Sequence, residues 1–447
     1  MEEKTDYILI HGGRIVDPGN DIDMIGDLII TRDIIAGIEK LGTIDIDSVG
    51  NEYRIIHAEG MVVCPGFVDL HCHLRQPGYE EKETIASGTL AAAAGGYTTV
   101  CCMPNTNPPL DSGEMIKQIL NIASKEGHIK VLPIGCITEK RNGKAIANMS
   151  EMVEAGAVGF SDDGSPVSDD GIMEKALNNS ICFGVPIIDH CEKVYPGQDW
   201  DMNSSTRAKL LGLRGMPENS EELMVERDIT LNRNIGGHLH IAHVSTARSA
   251  SLIRRAKESG IRITAEVTPH HLTLTEDIVV PDNTNTKVNP PLRTKEDIEI
   301  LIEALNDNVI DIISTDHAPH SAREKLCSFE KAAFGISGLE TALGSLMGLV
   351  HKGKISLKKL VSKLTCEPAA IIKNRDHVNG TLKRGCSADV TIFDPNREWI
   401  VRASNFISKG KNTPLDGKQL TGKVMATIWH GKLVFFSEEF ISNKGNN

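Results

Sequence analysis

Two histidines separated by one residue, His71 and His73, are the side chains whose spacing first suggests chemistry. They follow the apolar run MVVC and the segment FVDL, which together predict a buried strand whose alternate side chains share one face. Imidazoles at positions i and i+2 at the end of such a strand can reach one metal ion, although ordinary histidines also occur in this pattern. Arg75 follows at a distance suited to holding an anionic substrate beside that metal. Cys72 faces the other way, which indicates a packing role.

From residue 62 onward, apolar strands alternate with helical runs such as GEMIKQILNIASKEG. Eight such units in series predict a closed TIM-type (β/α)8 barrel rather than an open sheet. Pro133 lies inside the third predicted strand, where proline is unfavourable, so the boundary of that strand is the least well defined. The predicted strands cover residues 62–71, 97–103, 130–136, 157–161, 186–190, 239–243, 261–267 and 309–316.

Both chain ends contain short β-like segments bounded by Gly, Asp or Asn, for example GDLIITRDIIAGI near the start and GKVMATIWHGKLVFF near the end. This pattern predicts one small β-sandwich domain assembled from both termini. The predicted domains are therefore a composite β-sandwich of residues 1–64 plus 381–447 and a metal-dependent hydrolase barrel of residues 65–380.

The composition of the 447 residues narrows the function classes. The net charge is −12, and the chain has no long Lys/Arg tract, so a nucleic-acid partner is not expected. No run approaches ~18 apolar residues, and the start MEEKTDYILIHGG lacks a signal-peptide pattern, so we expect no membrane association. The 10 scattered cysteines include no CxxC pair, which favours reduced, buried thiols in a cytoplasmic protein.

Possible metal ligands occur at the ends of five predicted strands, where barrels of this type carry their catalytic groups. Any one of them alone would more often be a capping or core residue, but so many at one rim predict a two-metal hydrolytic site. Spacing does not decide between Asp162 and Asp163. The candidate ligands are His71 and His73 on strand one, Asp162 and Asp163 on strand four, His190 on strand five, His243 on strand six and Asp316 on strand eight.

The segments HCHLRQPG, GYTTVCCMPNTNP, FSDDG, DHCE, IAHVST, AEVTPHHL, NPPLR, STDHAPH and AFGISGLET resemble the motif series of class I dihydroorotases in the amidohydrolase superfamily. The resemblance covers nearly the whole barrel, residues 62 to 375. It implies a zinc-dependent cyclic amide hydrolase that converts N-carbamoyl-L-aspartate reversibly to L-dihydroorotate in pyrimidine (UMP) biosynthesis.

The resemblance also implies the metal ligands. Many relatives bridge two metals with a carboxylated lysine on the fourth strand, whereas this chain has FSDDG and no lysine there. An aspartate can supply the same bridging oxygens, and the resemblance favours Asp163. The implied ligands are His71, His73 and Asp316 for one Zn²⁺, His190 and His243 for a second, and Asp163 as the bridge.

The substrate contacts are likewise implied by the resemblance. Asp316 would take a proton from the attacking water and pass it to the leaving nitrogen. Arg75 offers a planar fork for the substrate carboxylate. Asn105 and Asn289 both lie beside proline and are equally plausible as turn residues when the resemblance is set aside. The implied substrate-binding residues are His73, Arg75, Asn105, Asn289, His320, Phe334 and Gly335.

Two other functions are compatible with parts of the sequence. A hydantoinase or allantoinase is disfavoured by Arg75, Asn105 and His320, which suit a ring that carries a carboxylate, and by the missing lysine. A metal-free scaffold for aspartate transcarbamoylase is disfavoured because the four barrel-end histidines are present. We expect a homo-oligomer, possible association with aspartate transcarbamoylase, and a mobile loop over residues 321–335 near the site.

Overall fold

The computed structural model describes residues 7–46, 53–195, 197–217, 219–372, 378–438 and 440. These residues form two eight-stranded sheets and one two-stranded sheet, together with the helices that connect the strands. The strands are β1 (Tyr7–Asp17), β2 (Ile22–Thr31), β3 (Ile34–Lys40), β4 (Tyr53–His57), β5 (Val62–Pro65), β6 (Phe67–Cys72), β7 (Tyr97–Cys102), β8 (Lys130–Gly135), β9 (Gly159–Phe160), β10 (Ile187–Asp189), β11 (Met202–Asn203), β12 (Gly215–Met216), β13 (Leu239–Ile241), β14 (Ile263–Val267), β15 (Ile312–Ile313), β16 (Val390–Ile400), β17 (Gln419–Trp429) and β18 (Lys432–Phe436).

The helices that follow the barrel strands begin at side chains that cap their first turn. Ser112, Asp169 and Thr246 each accept a backbone N–H three residues ahead, which fixes where each strand-end loop stops and the helix starts. None of the helices in the described ranges combines the length and apolar character that crossing a lipid bilayer requires. The α-helices are α1 (Ile85–Ala94), α2 (Gly113–Glu126), α3 (Met149–Ala155), α4 (Asp170–Phe183), α5 (Thr206–Leu211), α6 (Ser220–Ile235), α7 (Ala247–Glu258), α8 (Pro269–Thr273), α9 (Lys295–Asn306), α10 (Ala322–Lys325), α11 (Ala342–His351), α12 (Leu357–Leu364) and α13 (Cys366–Ile371).

The second large sheet is the predicted parallel barrel. Its strands lie in the order β6, β7, β8, β9, β10, β13, β14, β15, and each neighbouring pair is parallel. The sheet closes on itself because His317, just after β15, forms a parallel bridge with Cys72 of β6. The backbone N–H of His73 donates to the His317 carbonyl at 2.9 Å across the same seam. The (β/α)8 prediction is therefore confirmed.

The predicted first barrel strand, residues 62–71, is in fact two strands of different sheets. The first part, β5, pairs with β16 of the chain-end sheet, and only β6 belongs to the barrel. The change occurs at Gly66, whose N–H donates to the Asp389 carbonyl at 2.8 Å. A Cβ at this position would lie 2.1 Å from Thr98 Oγ1, so only glycine fits. The sequence shows one continuous apolar run here because both strands are buried.

Pro133 lies within β8, as the sequence places it, opposite Cys102 of β7. Its carbonyl accepts the backbone N–H of Val158 at 3.1 Å, on the side of the following strand. Proline lacks only the backbone N–H donor, so its carbonyl still forms a hydrogen bond on the side of β9.

The chain-end sheet combines strands from both termini in the order β18, β17, β16, β5, β1, β2, β3, with β4 also paired to β1. Apolar side chains from both ends pack into one buried cluster, which confirms that the two termini together form one β unit, built on a single mixed sheet. We propose the division into residues 1–64 plus 381–447 and 65–380 as the domain organisation. Residues 1–6, 47–52 and 441–447 of this division lie outside the described residues. The cluster includes Ile10, Ile15, Leu28, Ile30, Val63, Val390, Ile392, Ala426 and Ile428.

Asp69 in β6 holds the seam of the barrel together. One carboxylate oxygen accepts the N–H of Thr315 at 2.9 Å and the N–H of His71 at 3.2 Å, and the other accepts the Thr315 hydroxyl at 2.5 Å. The Asp69 side chain is fully buried, so water cannot replace these contacts. The same residue thus joins the first and last barrel strands beside the predicted ligands His71 and Asp316.

We expect Asp69→Ala to lower the free energy of unfolding by about 2–4 kcal/mol, because it leaves buried N–H groups without an acceptor. Urea denaturation monitored by circular dichroism would measure the change. Thr315→Val is the graded comparison, since it removes a hydroxyl that donates to Asp69 and accepts the His317 N–H, and it should cost less, about 1–2 kcal/mol. Equal stability of Asp69→Ala and the parent protein would contradict the role of Asp69 at the seam.

Candidate metal centre

The carboxyl ends of β6 and β15 bring His71, His73 and Asp316 together. His73 Nε2 lies 3.0 Å from Asp316 Oδ1, and His71 Nε2 lies 3.6 Å from the same oxygen. Asp163, after β9, faces both rings, at 3.4 Å from His71 Nε2 and 3.6 Å from His73 Nε2. All four side chains are buried. Residues from strands one, four and eight therefore meet at one point, as the strand-end argument predicts.

His190 and His243 also face Asp163. His190 Nδ1 lies 3.5 Å and His243 Nε2 lies 3.6 Å from Asp163 Oδ1. The two ring nitrogens are 2.9 Å apart. Two groups of possible metal ligands thus share Asp163, and within each group the ligand atoms lie within 4.8 Å of one another. This arrangement has the form of a two-cation site with a shared carboxylate.

Asp162 and Asp163 point in different directions. Asp162 accepts the backbone N–H groups of Ile137 at 2.9 Å and of Thr138 at 3.1 Å, and it also bonds the Thr138 hydroxyl. It therefore supports the loop after β8, whereas Asp163 lies in the cluster. The structure thus distinguishes two adjacent residues that spacing leaves equivalent.

The electrostatics of the cluster favour the binding of a positively charged group. Burial alone would raise the pKa of the Asp163 carboxyl, but the neighbouring imidazoles of His71, His190 and His243 hold it well below its usual range. Burial alone would lower the pKa of His190, but Asp163 and Glu192 raise it to about 10. The buried Nε2 of His71 makes no hydrogen bond within the described residues. Imidazole nitrogens and carboxylate oxygens in this arrangement fit a cation such as Zn²⁺.

Glu266, in the middle of β14, orients His71 and was not identified from the sequence. Its Oε1 lies 2.6 Å from His71 Nδ1, and its Oε2 lies 3.3 Å from His240 Nε2. The bond to Oε1 places a proton on Nδ1 and leaves the Nε2 lone pair of His71 facing the cluster. A fully buried glutamate requires a partner, so the acidic residue in the strand ITAEV is the signal that could have identified it.

Asn105 lies inside the cluster rather than serving only as a turn residue. Its Oδ1 lies 2.8 Å from His73 Nδ1, and its Nδ2 donates to Asp163 Oδ2 at 3.2 Å. Asn289 lies on the opposite side, where its Nδ2 donates to Glu192 Oε2 at 2.8 Å. The two asparagines therefore flank the two groups of ligands.

Arg75 lies beside the cluster with a left-handed backbone, at φ 62°. Its Nε donates to the Pro319 carbonyl at 3.2 Å, and one amino nitrogen lies 3.5 Å from His320 Nε2. Burial, together with the charge of Arg75, lowers the pKa of His320 to about 3, so the ring is neutral at pH 7. His320 Nε2 donates to the Phe334 carbonyl at 2.7 Å. A half-buried guanidinium, a neutral imidazole and the Phe334 backbone therefore form one wall of the site.

The backbone of Gly335, at φ 140°, is held on both sides. Its N–H donates to the Lys287 carbonyl at 3.0 Å, and its own carbonyl accepts from Asn412 Nδ2 at 3.0 Å. Asn412 Oδ1 also accepts the backbone N–H of His320 at 2.9 Å. Sequence reasoning missed Asn412 because it comes from the chain-end region, far along the chain from the barrel motifs.

The segment 321–335, predicted to be a mobile loop, contains α10 and is anchored by Lys325. The Lys325 ammonium is buried and donates to the carbonyls of Thr284 at 3.1 Å, Lys287 at 3.2 Å and Ala333 at 2.6 Å. These bonds hold the segment against the polypeptide that precedes Asn289. Its mobility stays a prediction.

Comparisons with known proteins agree with one another on the family. A family model described as Dihydro-orotase-like matches residues 60–249. A protein named Dihydroorotase from Thermoanaerobacter sp. (strain X514) is 46% identical over 429 residues, covering 96% of this chain and 97% of that protein. Another, from Aquifex aeolicus (strain VF5), is 46% identical over 431 residues, covering 96% of this chain and 99% of that protein.

Solved structures share the fold over nearly the whole chain. The L-hydantoinase (dihydropyrimidinase) from Arthrobacter aurescens superposes with a TM-score of 0.84 at 26% identity, covering 96% of both chains. The dihydropyrimidinase from Brevibacillus agri NCHU1002 gives a TM-score of 0.80 at 22% identity, covering 96% of this chain and 95% of that one. The second likeness shows the fold alone.

We expect Glu266→Gln to weaken zinc binding by about 10- to 100-fold, because a neutral amide no longer fixes the ring of His71 as the carboxylate does. Competition with a chromophoric chelator would measure the affinity, and elemental analysis would measure the zinc content. Glu299→Gln is the matched control, since Glu299 is exposed on α9 and contacts only the exposed Lys295 among the described ion pairs. Equal zinc affinity of Glu266→Gln and the control would contradict the role given to Glu266.

Proposed function

Because this chain belongs to the dihydroorotase family and catalyses the dihydroorotase reaction of pyrimidine biosynthesis, we propose that the ligand cluster at the carboxyl end of its barrel is the catalytic centre. The family follows from relatives that are 46% identical over nearly the full length of both chains. The enzyme is a cyclic amide hydrolase that interconverts N-carbamoyl-L-aspartate and L-dihydroorotate. The observation that carries the proposal is the position of Asp163 between two sets of imidazoles.

We propose that the metal is zinc and that each chain holds two ions. His71, His73 and Asp316 would hold one, His190 and His243 the other, and Asp163 both. The support is the donor set, since two imidazoles and shared carboxylate oxygens on each side suit Zn²⁺. Zinc supplies a nucleophile by lowering the pKa of a water to ~7, and it polarises the amide carbonyl of the ring.

Asp316 is proposed as the general base and acid. Burial would raise the pKa of its carboxyl, but the hydrogen bond with His73 and the charge of His71 lower it, so the carboxylate is ionised at neutral pH. In ring opening, Asp316 accepts a proton from the attacking water and delivers it to the leaving nitrogen. Ring closure uses the same two transfers in reverse.

Arg75, Asn105 and His320 are proposed to bind the substrate carboxylate. In the described part of the chain, Arg75 uses Nε for the Pro319 carbonyl, so its amino groups remain available for a bidentate pair. The backbone of Phe334 and Gly335 and the side chains of His73 and Asn289 are proposed to line the rest of the pocket. A half-buried cation beside the metal ligands supports dihydroorotate over hydantoin or allantoin, which carry no carboxylate on the ring.

We further propose a cytoplasmic location and an assembled state. All 10 cysteines are free, and Cys101 and Cys102 are buried neighbours that remain thiols, which fits a reducing compartment. The homo-oligomer is proposed from the sequence; scattered exposed side chains such as Leu210 and Leu326 do not define its interface. Association with aspartate transcarbamoylase belongs to the same proposal, because that enzyme produces the substrate used here.

We expect Asp163→Ala to reduce the zinc content from about two ions per chain to about one or none and to abolish dihydroorotate turnover, since both ions lose a shared oxygen. Elemental analysis and a spectrophotometric assay of dihydroorotate would be run on the same samples. Asp162→Ala is the adjacent control; it removes a loop contact and should retain zinc. A parent protein without zinc and without turnover after zinc addition would support the scaffold function instead.

We expect Arg75→Lys to raise the KM for dihydroorotate by about 10-fold or more, because a lysine cannot form the bidentate pair with a carboxylate. Zinc content should be unchanged, since Arg75 is not among the proposed ligands. Steady-state kinetics at saturating zinc would measure KM and kcat separately. An unchanged KM would show that another group binds the carboxylate.

A further inference from the structure

Glu192 lies between the metal ligands and the substrate pocket, two residues after His190. Its Oε2 lies 3.0 Å from His190 Nε2 and accepts Asn289 Nδ2 at 2.8 Å, while its Oε1 accepts Trp200 Nε1 at 2.9 Å. The Glu192 side chain is 13% exposed, so it is largely shielded from solvent. One carboxylate therefore contacts a proposed metal ligand, a proposed substrate contact and an aromatic ring.

The carboxylate determines which nitrogen of His190 carries the proton. Asn289 Nδ2 also lies 3.3 Å from His190 Nε2, where an unprotonated Nε2 would accept a hydrogen bond from that amide. That arrangement would place a lone pair of His190 against the carboxylate of Glu192 at 3.0 Å. A proton on Nε2 that is donated to Glu192 avoids this repulsion and gives a charge-assisted bond. The nitrogen that faces Asp163 and His243 is then Nδ1, whose lone pair a bound metal ion would take.

The same carboxylate determines how the Asn289 amide is turned. An ionised carboxylate only accepts hydrogen bonds, so the amide must direct its NH₂ group toward Glu192. The opposite atom, Asn289 Oδ1, is buried and has no hydrogen-bond partner among the described residues. A buried acceptor without a partner is suited to an N–H of a ligand.

The third contact extends to the wall of the pocket. Trp200, fixed by Glu192 Oε1, packs against Phe334 with ring centroids 4.6 Å apart. The Phe334 carbonyl in turn accepts from His320, one of the proposed carboxylate-binding residues. Glu192 thus connects the His190 side of the metal centre with both sides of the substrate pocket.

We propose that Glu192 is a positioning residue that fixes the proton of His190 on Nε2 and turns the Asn289 amide so that its oxygen accepts a ring N–H of the substrate. The inference rests on the proposed function, because it uses His190 as a metal ligand and Asn289 as a substrate contact. It adds that recognition of the cyclic amide requires a hydrogen-bond donor on the ring. It also adds that one carboxylate sets both metal binding and substrate binding.

The test is Glu192→Gln. The glutamate carboxylate accepts hydrogen bonds at two oxygens, whereas the glutamine amide has only one acceptor oxygen. We expect the zinc affinity, measured by chelator competition without substrate, to fall by about 10- to 100-fold. At saturating zinc we expect the KM for dihydroorotate to rise by about 10-fold, as for a misdirected hydrogen-bonding group. Glu299→Gln, which removes the same charge from the surface of α9, should match the parent protein in both measurements.

A double-mutant cycle with Asn289→Ala separates the two roles. In the Asn289→Ala background, Glu192→Gln should raise KM no further, whereas zinc affinity should still fall. Additive effects on KM, or a zinc affinity equal to that of the parent protein, would overturn the proposal. If Glu192→Gln does not fold, Glu192→Asp is the second variant, because it shortens the side chain by one methylene and moves the carboxylate away from its partners. We expect weaker zinc binding and a higher KM for dihydroorotate. An unchanged zinc affinity together with an unchanged KM would overturn the proposal.

An error in the proposed function would give a different result from an error in the role of Glu192. The parent protein would then bind no zinc or would not turn over dihydroorotate, before any variant is compared. A parent protein that binds zinc and turns over dihydroorotate, with no response to substitution of Glu192, would refute the role of Glu192 alone.

Discussion

The charge balance around Asp163 constrains the rest of the structure. Four imidazoles and two carboxylates occupy one buried volume, and Asp163 lies within 3.6 Å of four ring nitrogens. Such a cluster is costly to bury unless every ring presents the correct nitrogen and the net charge is compensated. The barrel meets this requirement because parallel strands deliver their last residues to the same rim, whatever their separation along the chain.

A surrounding layer of acidic residues holds these ligands in orientation. Glu266 contacts His71, Glu192 contacts His190, and Asp69 joins the two strands that carry His71 and Asp316. Glu266 and Asp69 lie on barrel strands, and Glu192 lies in the loop that follows β10. The orientation of His71 is therefore determined by a rigid part of the barrel, which is what a metal site with narrow geometric tolerance needs.

The sequence predicts much of this arrangement, for identifiable reasons. His71, His73, His190, His243 and Asp316 are predictable as neighbours because the alternation of strands and helices is a local pattern, and a series of eight such units implies a closed barrel with all strand ends at one rim. Glu266 and Glu192 were missed because their roles depend on which side chains they meet across the barrel. The split of strand one at Gly66 was missed because two buried strands in sequence have the same apolar pattern as one.

Residues 408 and 412 of the chain-end region reach into the barrel. The Ser408 hydroxyl donates to Glu83, which also contacts His317, and Asn412 bonds both His320 and Gly335. The pocket is thus completed by polypeptide that is synthesised after the whole barrel. A chain cut after the barrel would carry the ligand set but an unfinished substrate wall, so competence for turnover depends on residues that follow the barrel.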